Sequence, residues 1–312
     1  MSVLQPIDLL NVSEGQKVSG LILVQSHTKK PEGTESKAPL SGVAHYKGRN
    51  MAFKVWDVQL QRLFNLNDLS GSILAVDASV SKYNDNLELT LNRINLDHGV
   101  TNPSLFYRSV NVEEVFTQFV EFVNTNLSPN ALGILSNIFT SENLYEPFKY
   151  AWAASSMHDA QVGGLMNHTL KMLRLAKTLC ENDPRLEQAK DLLYLSIIFH
   201  DIGKIHEIGQ GGTYTSISFV THRILGVELL SRYRNMIIEA MGELFYYHLL
   251  AVVQQHHGEF GEPPTTIWSQ IVHMIDHLEA LTTGLMDKLE AKEYRVHNGH
   301  KAIWVNGTYL IV

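Results

Sequence analysis

Hydrophobic and polar positions follow different patterns in the two parts of the chain. In the first hundred residues they alternate within short segments rich in Val, Ile, Leu and aromatic residues, which is typical of β-strands. Turn-forming sequences at residues 47–50 and 84–86 separate some of these segments. The pattern predicts five strands, in KVSGLILVQS, SGVAHYKGR, NMAFKVWD, SILAVDASVSKY and NLELTLNRI.

Five short strands in so few residues predict a small closed barrel, for which the OB-fold is the expected topology. The polar segment from Lys29 to Pro39 is expected to form a mobile loop between the first two strands. We expect Trp56 in the barrel core. Tyr46, Phe53 and Tyr83 are instead candidate rings for stacking on nucleic-acid bases.

From Val112 onward, apolar residues recur at helical spacing. Helices are expected in EEVFTQFVEFVNTNL, PNALGILSNIFTS and YEPFKYAWAASS, and over 165–179, 189–199, 221–232, 236–257 and 266–288. The final HKAIWVNGTYLIV predicts a β-hairpin around Asn306 and Gly307. The fold class is therefore α+β multidomain, with an N-terminal OB-like β-barrel, an all-α helical bundle and a short C-terminal β-hairpin.

Composition and charge exclude several classes of protein. The chain has 312 residues, 45% hydrophobic and 18% charged, which is enough for two globular domains. No apolar run approaches the roughly 20 residues of a membrane span, and no secretory signal is recognisable. The single cysteine, Cys180, excludes an intramolecular disulfide and fits a cytoplasmic location. Residues 1–100 are net neutral, and the formal charge of −7 argues against polyanion binding by the whole surface.

Histidine and aspartate residues occupy helix positions where an imidazole or a charge needs a partner. His168 lies on an apolar helical stripe, and alone it would be a packed core histidine more often than a ligand. His200-Asp201 follows the apolar helix DLLYLSIIF and precedes Ile202-Gly203-Lys204. A buried carboxylate beside an imidazole is costly unless something pairs with it, and a divalent metal is the natural partner.

Three further helices supply the same residue types. His222 opens one, His256 and His257 end another, and Asp276 lies inside a long apolar helix. This set exceeds the needs of one ion, so it predicts two divalent metals, with Mn preferred and Fe, Co or Ni as alternatives. The expected ligands are His168, His200, Asp201, His222, His256, His257 and Asp276. Surface or packing roles are expected instead for His206, His248, His273 and His277.

The order H, HD, H, HH, D resembles the HD-domain phosphohydrolases. The details are closer to the YhaM-type 3′–5′ exoribonucleases, which join an N-terminal OB-fold to an HD domain. The matching stretches are MHDAQVGGLMNHTLKML, IIFHDIGKIHEI, GTYTSISFVTH, QQHHGEFGEPP and IVHMIDHLEAL, with GQKVSGLILV and FKVWD in the barrel. The resemblance divides the chain into an OB-fold at 1–100, a helical connector at 101–154, an HD domain at 155–290 and the hairpin at 291–312.

The resemblance implies metal-dependent hydrolysis of single-stranded RNA or DNA from the 3′ end to nucleoside monophosphates. It implies no membrane partner and leaves a homo-oligomer open. Asp201 would bridge or orient the metals, and Lys204 would stabilise negative charge on the phosphate. The expected substrate contacts are Lys204, Arg223, His158, Tyr46 and Tyr83.

Two alternatives stay open at this point. An HD hydrolase could act on a small nucleotide, with the barrel serving assembly or regulation. A non-catalytic nucleic-acid-binding protein with a structural metal is the other, although a structural site would close with about four ligands. A cyclic dinucleotide is disfavoured because GEFGEPP follows His257 and lacks a GYP signature.

Overall fold

The computed structural model describes residues 4–29, 38–155, 159–258, 261–290, 294–305 and 307–312. The chain divides into two compact units, Met1–Arg108 and Ser109–Val312. The finer domain boundaries expected from the sequence remain predictions.

The first unit is a closed five-stranded barrel, as the sequence predicted. Its strands follow the order β1-β2-β3-β5-β4, with β3 and β5 parallel and the other neighbours antiparallel. The β2–β3 and β4–β5 turns each contain two consecutive residues with positive φ, as tight hairpins require. The strands are β1 Lys17–His27, β2 Leu40–Tyr46, β3 Arg49–Val55, β4 Ile73–Tyr83 and β5 Asn86–Asn95. The loop predicted at 29–39 lies mostly outside the described residues.

A helix that the sequence pattern did not reveal, α1 (Val58–Leu66), lies between β3 and β4. Asp57 caps it by accepting hydrogen bonds from the backbone N–H groups of Gln59 and Leu60, at 2.9 and 3.0 Å. Phe64 of this helix is fully buried, with its ring centroid 5.8 Å from that of Phe53. The helix therefore contributes an aromatic side chain to the barrel core.

The structure reverses most of the expected roles of the barrel aromatics. Trp56 is 55% exposed, so its predicted place in the core is wrong. Tyr46 and Phe53 are buried in the core, so their rings do not present a face to a base. Tyr83 is 60% exposed, and the Lys54 ammonium lies 4.3 Å from its ring centroid. Only Tyr83 of the three predicted stacking rings is therefore exposed.

The second unit is helical and ends in a small sheet. Its core is formed by apolar faces of the long helices, and every residue of the segment 192–199 is buried. The helices are α2 Val112–Asn126, α3 Pro129–Ser141, α4 Tyr145–Tyr150, α5 Gly164–Asn182, α6 Pro184–Glu187, α7 Lys190–Phe199, α8 Lys204–Glu207, α9 His222–Arg232, α10 Arg234–Met241, α11 Glu243–Gln255 and α12 Ile267–Glu290. In the part of the chain that the structure describes, no helix is long and apolar enough to cross a membrane.

Three local predictions in this unit need correction. The helix expected over 236–257 is two helices, which meet at Gly242 with φ of 92°. The helix expected in YEPFKYAWAASS is confined to α4. The C-terminal hairpin is part of a three-stranded antiparallel sheet, β6 (Arg295–His297), β7 (His300–Val305) and β8 (Thr308–Ile311). Asn306, at the predicted turn, lies outside the described residues.

Candidate metal centre

Helix ends bring the predicted ligands into one region of the helical unit. His200 and Asp201 directly follow α7, whose apolar residues are buried on all sides, so both side chains are drawn into the interior. His222 is the first residue of α9, and His256 directly follows α11. The other three predicted ligands are His168 on α5, His257 after His256, and Asp276 on α12.

The seven side chains form two neighbouring groups. Within each group the potential ligand atoms lie within 4.8 Å of one another, a spacing that a divalent cation could close. A distance of 3.3 Å joins His200 Nε2 of one group to Asp201 Oδ2 of the other. One group comprises Asp201, His222, His256 and His257, and the other comprises His168, His200 and Asp276.

Hydrogen bonds to the backbone fix the tautomers of two of these histidines. Nδ1 of His200 lies 2.7 Å from the Ile197 carbonyl, and Nδ1 of His256 lies 3.0 Å from the Val253 carbonyl. Because a carbonyl only accepts, each Nδ1 must donate, which leaves Nε2 of the neutral ring with a lone pair. A lone pair in this position is what metal ligation by Nε2 requires.

Several of these ligand atoms are buried without a hydrogen-bond partner. In the described residues, four buried side-chain atoms lack a hydrogen-bond partner. Three of them belong to expected ligands: His200 Nε2, Asp201 Oδ1 and His256 Nε2. The fourth is Ser196 Oγ. Buried polar atoms are normally satisfied, because leaving them unpaired costs about 1–3 kcal/mol each. Three converging unpaired acceptors therefore fit a cation between them.

Two buried glutamates orient His222 and His168. Oε2 of Glu207 lies 2.6 Å from Nδ1 of His222, and Oε2 of Glu279 lies 2.5 Å from Nδ1 of His168. Neither glutamate was among the expected site residues. Glu279 follows Asp276 by three residues, so both lie on one face of α12, and that spacing was the available signal.

The electrostatics of the centre favour neutral imidazole at His256 and His257. Burial, together with the other imidazole groups nearby, lowers the pKa of His256 to about 4 and that of His257 to about 3. Neutral imidazole is the ligating form, so neither ring must lose a proton at neutral pH to bind a metal.

At Asp201 and His168, charged neighbours together affect the pKa more than burial does. Burial alone would raise the pKa of Asp201, but the Lys204 ammonium and His200 outweigh it and hold that pKa well below its ordinary value. Burial likewise opposes protonation of His168, yet Asp276 and Glu279 raise its pKa to about 10. The carboxylates of Asp201, Asp276 and Glu279 are therefore ionised, whereas His168 must release a proton when it binds a metal.

The predicted substrate contacts in this unit have different surroundings. Lys204 follows Asp201 by three residues, and its Nζ lies 2.6 Å from Asp201 Oδ2 of the ligand cluster. Arg223, next to His222, donates from Nη1 to the Gln254 carbonyl at 3.0 Å. His158 lies outside the described residues.

Comparison with known proteins finds related sequences. The profile of the HD domain matches residues 165–291. The chain is 30% identical over 301 residues to the 3′-5′ exoribonuclease YhaM of Listeria welshimeri serovar 6b, covering 90% of each chain. It is 29% identical over 300 residues to the protein of that name from Listeria monocytogenes serotype 4b strain F2365, again over 90% of each chain. The protein of that name from Listeria innocua serovar 6a is 28% identical over 300 residues, with the same coverage.

Proposed function

The chain belongs to the family of the 3′-5′ exoribonuclease YhaM, and from this premise we propose that it is a metal-dependent exoribonuclease. It would hydrolyse single-stranded RNA from the 3′ end and release nucleoside monophosphates. The observation that carries the proposal is the pair of adjacent ligand groups, joined at Asp201, with unsatisfied acceptors converging inside them. The similarity extends over the barrel as well as the HD domain, since it covers 90% of the chain.

The donor set fits divalent metals with mixed nitrogen and oxygen preference. Imidazole nitrogens outnumber carboxylates in both groups, which favours Mn, Fe, Co or Ni over Mg. The two groups would hold one ion each. When bound, such ions activate water as a nucleophile and neutralise charge on the scissile phosphate.

Lys204 is placed to assist at the phosphate. Its ammonium now neutralises Asp201, and its side chain is 17% exposed. When Asp201 ligates a cation, this ammonium can bind a phosphate oxygen and stabilise the negative charge that develops there. Arg223, on the first turn of α9, would contact the neighbouring phosphate.

The test is a degradation assay on single-stranded RNA labelled at its 5′ end. We expect a ladder of stepwise shortened strands and release of mononucleotides. EDTA should abolish the activity, and Mn should restore it better than Mg. A 3′-blocked strand serves as the matched control and should resist degradation.

Other outcomes separate the alternatives. Undiminished turnover in chelator would remove the metal centre from the mechanism. Hydrolysis of free nucleotides, with strands left intact, would favour a small-nucleotide hydrolase. Tight strand binding with no cleavage in any metal would favour a binding protein with a structural ion.

A further inference from the structure

The carboxylate of Glu279 is buried at the edge of the metal centre and contacts three polar side chains. The residue is 3% exposed. Its Oε2 lies 2.5 Å from His168 Nδ1. Its Oε1 accepts from Thr283 Oγ1 at 2.6 Å and pairs with Lys171 Nζ at 3.1 Å.

These contacts require a group that only accepts hydrogen bonds. The Lys171 ammonium has no lone pair to offer, and the Thr283 hydroxyl is directed at Oε1. With both donors on Oε1, only Oε2 is left for the imidazole of His168. A carboxylate satisfies this arrangement on both sides, whereas an amide must place an NH₂ group against one of them.

We propose that Glu279 is the positioning residue that orients the His168 ring for metal ligation through Nε2, and that Lys171 fixes the orientation of Glu279. The inference rests on the proposed function, because it assigns His168 as a ligand. With Nδ1 donating to Glu279, the ligating atom is Nε2, which lies 3.2 Å from Asp276 Oδ1 in the same ligand group. An imidazole held in the other tautomer would carry a proton at Nε2 and could not ligate.

Lys171 is itself held by residues outside the ligand set. Its ammonium lies 3.0 Å from Asp159 Oδ2 and 3.0 Å from Thr283 Oγ1, in addition to its contact with Glu279. Asp159 is buried and also accepts from Asn167 Nδ2 at 2.8 Å. This chain of contacts ties the segment before α5 to α12 and prevents the Glu279 carboxylate from rotating.

His222 provides an internal comparison. Its Nδ1 is also paired with a buried glutamate, Glu207, and it belongs to the other ligand group. Lys171 pairs with Glu279 and Asp159 but not with Glu207 in the described part of the chain. The two groups should therefore respond separately to loss of their glutamates.

The experiment measures metal binding directly in the full-length protein. Glu279→Gln forces an amide NH₂ toward either His168 or the Lys171 ammonium. We expect Mn affinity of one of the two sites to fall about 10- to 100-fold by titration calorimetry, as for other supporting residues of metal ligands. Glu207→Gln is the matched control and should weaken the other site instead.

The decisive variant is the double substitution Lys171→Met with Glu279→Gln. Without the ammonium, the glutamine NH₂ can face the former lysine position, and its carbonyl oxygen can return to His168. We expect the double variant to recover at least about threefold in Mn affinity over Glu279→Gln alone, a coupling typical of residues in direct contact. If Glu279 and Lys171 served only packing, the two substitutions would each lower Mn affinity and the two losses would add.

A measurement on the unsubstituted protein tests the proposal without any folding risk. Long-range ¹H–¹⁵N spectra of the Zn-loaded protein should show His168 protonated at Nδ1 and ligated at Nε2, with assignment by His168→Gln. Ligation through Nδ1, unchanged Mn binding by Glu279→Gln, or additive losses in the double variant would each overturn the inference. Failure of the unsubstituted protein to bind Mn at all would instead overturn the proposed function.

Discussion

At the scale of single residues, the centre combines ligands that the sequence revealed with supporting groups that it did not. Histidines and aspartates at the ends of apolar helices stand out because their burial is costly without a partner. Glu207 and Glu279 are acids on helices, and such residues usually face solvent. The three-residue spacing from Asp276 was a signal for Glu279, whereas only the tertiary packing shows that Glu207 is buried against an imidazole.

Asp201 is the residue whose loss should cost the most activity. It is 2% exposed, pairs with Lys204, belongs to one ligand group and contacts His200 of the other. Asp201→Asn keeps the shape but removes the charge, so we expect activity to fall at least roughly a thousandfold, the upper range for losing one key electrostatic element. Turnover on labelled RNA and bound Mn by elemental analysis measure the effect.

Asp97→Ala, an exposed carboxylate in the barrel unit, is the control and should leave both quantities unchanged. Circular dichroism should show that Asp201→Asn still folds. Near-normal turnover by the folded Asp201→Asn protein would contradict the assigned role.

At the scale of elements, the turn between α7 and α8 sets the geometry of the site. Asp201 lies in this turn, Lys204 begins α8 directly after it, and His222 begins α9. Gly203 makes that packing possible, because a Cβ there would lie 2.1 Å from the His222 carbonyl oxygen. The φ of −65° at Gly203 is open to any residue, so the close approach of the His222 carbonyl, and not the backbone conformation, is what requires glycine here.

Gly203→Ala should therefore separate α8 from the start of α9. We expect the free energy of unfolding to fall by about 1–3 kcal/mol, as for other insertions into packed interiors. Activity should fall about a hundredfold, because a displacement near 1 Å is enough to misplace catalytic groups. Chemical denaturation and turnover on labelled RNA measure the two effects.

Gly133→Ala is the matched control, since Gly133 lies in α3 and its added Cβ would meet nothing within 4 Å. It should be neutral or stabilise by up to about 1 kcal/mol, the usual gain from glycine to alanine inside a helix. Equal behaviour of the two variants would show that the α8–α9 contact tolerates a methyl group.

At the scale of the whole molecule, the sequence predicted the order of a β-barrel and a helical unit correctly, because the period of the hydrophobic pattern changes between them. Most of the roles expected for the barrel aromatics were wrong because burial follows the alternation of side chains along each strand and not hydrophobicity alone. In β3, Met51, Phe53 and Val55 are buried in strict alternation. Trp56 follows the opposite parity and is exposed. No comparable pattern in the sequence indicated that α1 is buried against the barrel.

The corrected positions make Tyr83 the ring on the barrel to test for contact with nucleic acid. It ends β4 with 60% of its surface exposed, and Lys54 lies against its ring. A base stacked on an exposed ring contributes about 1–3 kcal/mol whatever its sequence. A barrel that binds several bases should therefore matter for long strands and hardly at all for a dinucleotide.

Tyr83→Ala in the full-length protein should raise KM for a long single strand by about fivefold or more, with kcat nearly unchanged, because the variant loses a stacking contact and no residue of the metal centre. Cleavage of a dinucleotide should stay the same. Tyr247→Ala, which removes a half-exposed ring on α11, is the control and should affect neither substrate. Both lengths must be compared at one salt concentration, because contacts to phosphate are strongly salt-dependent. Equal losses on long and short substrates would mean that Tyr83 supports folding, and no loss on either would remove this ring from the path of the strand.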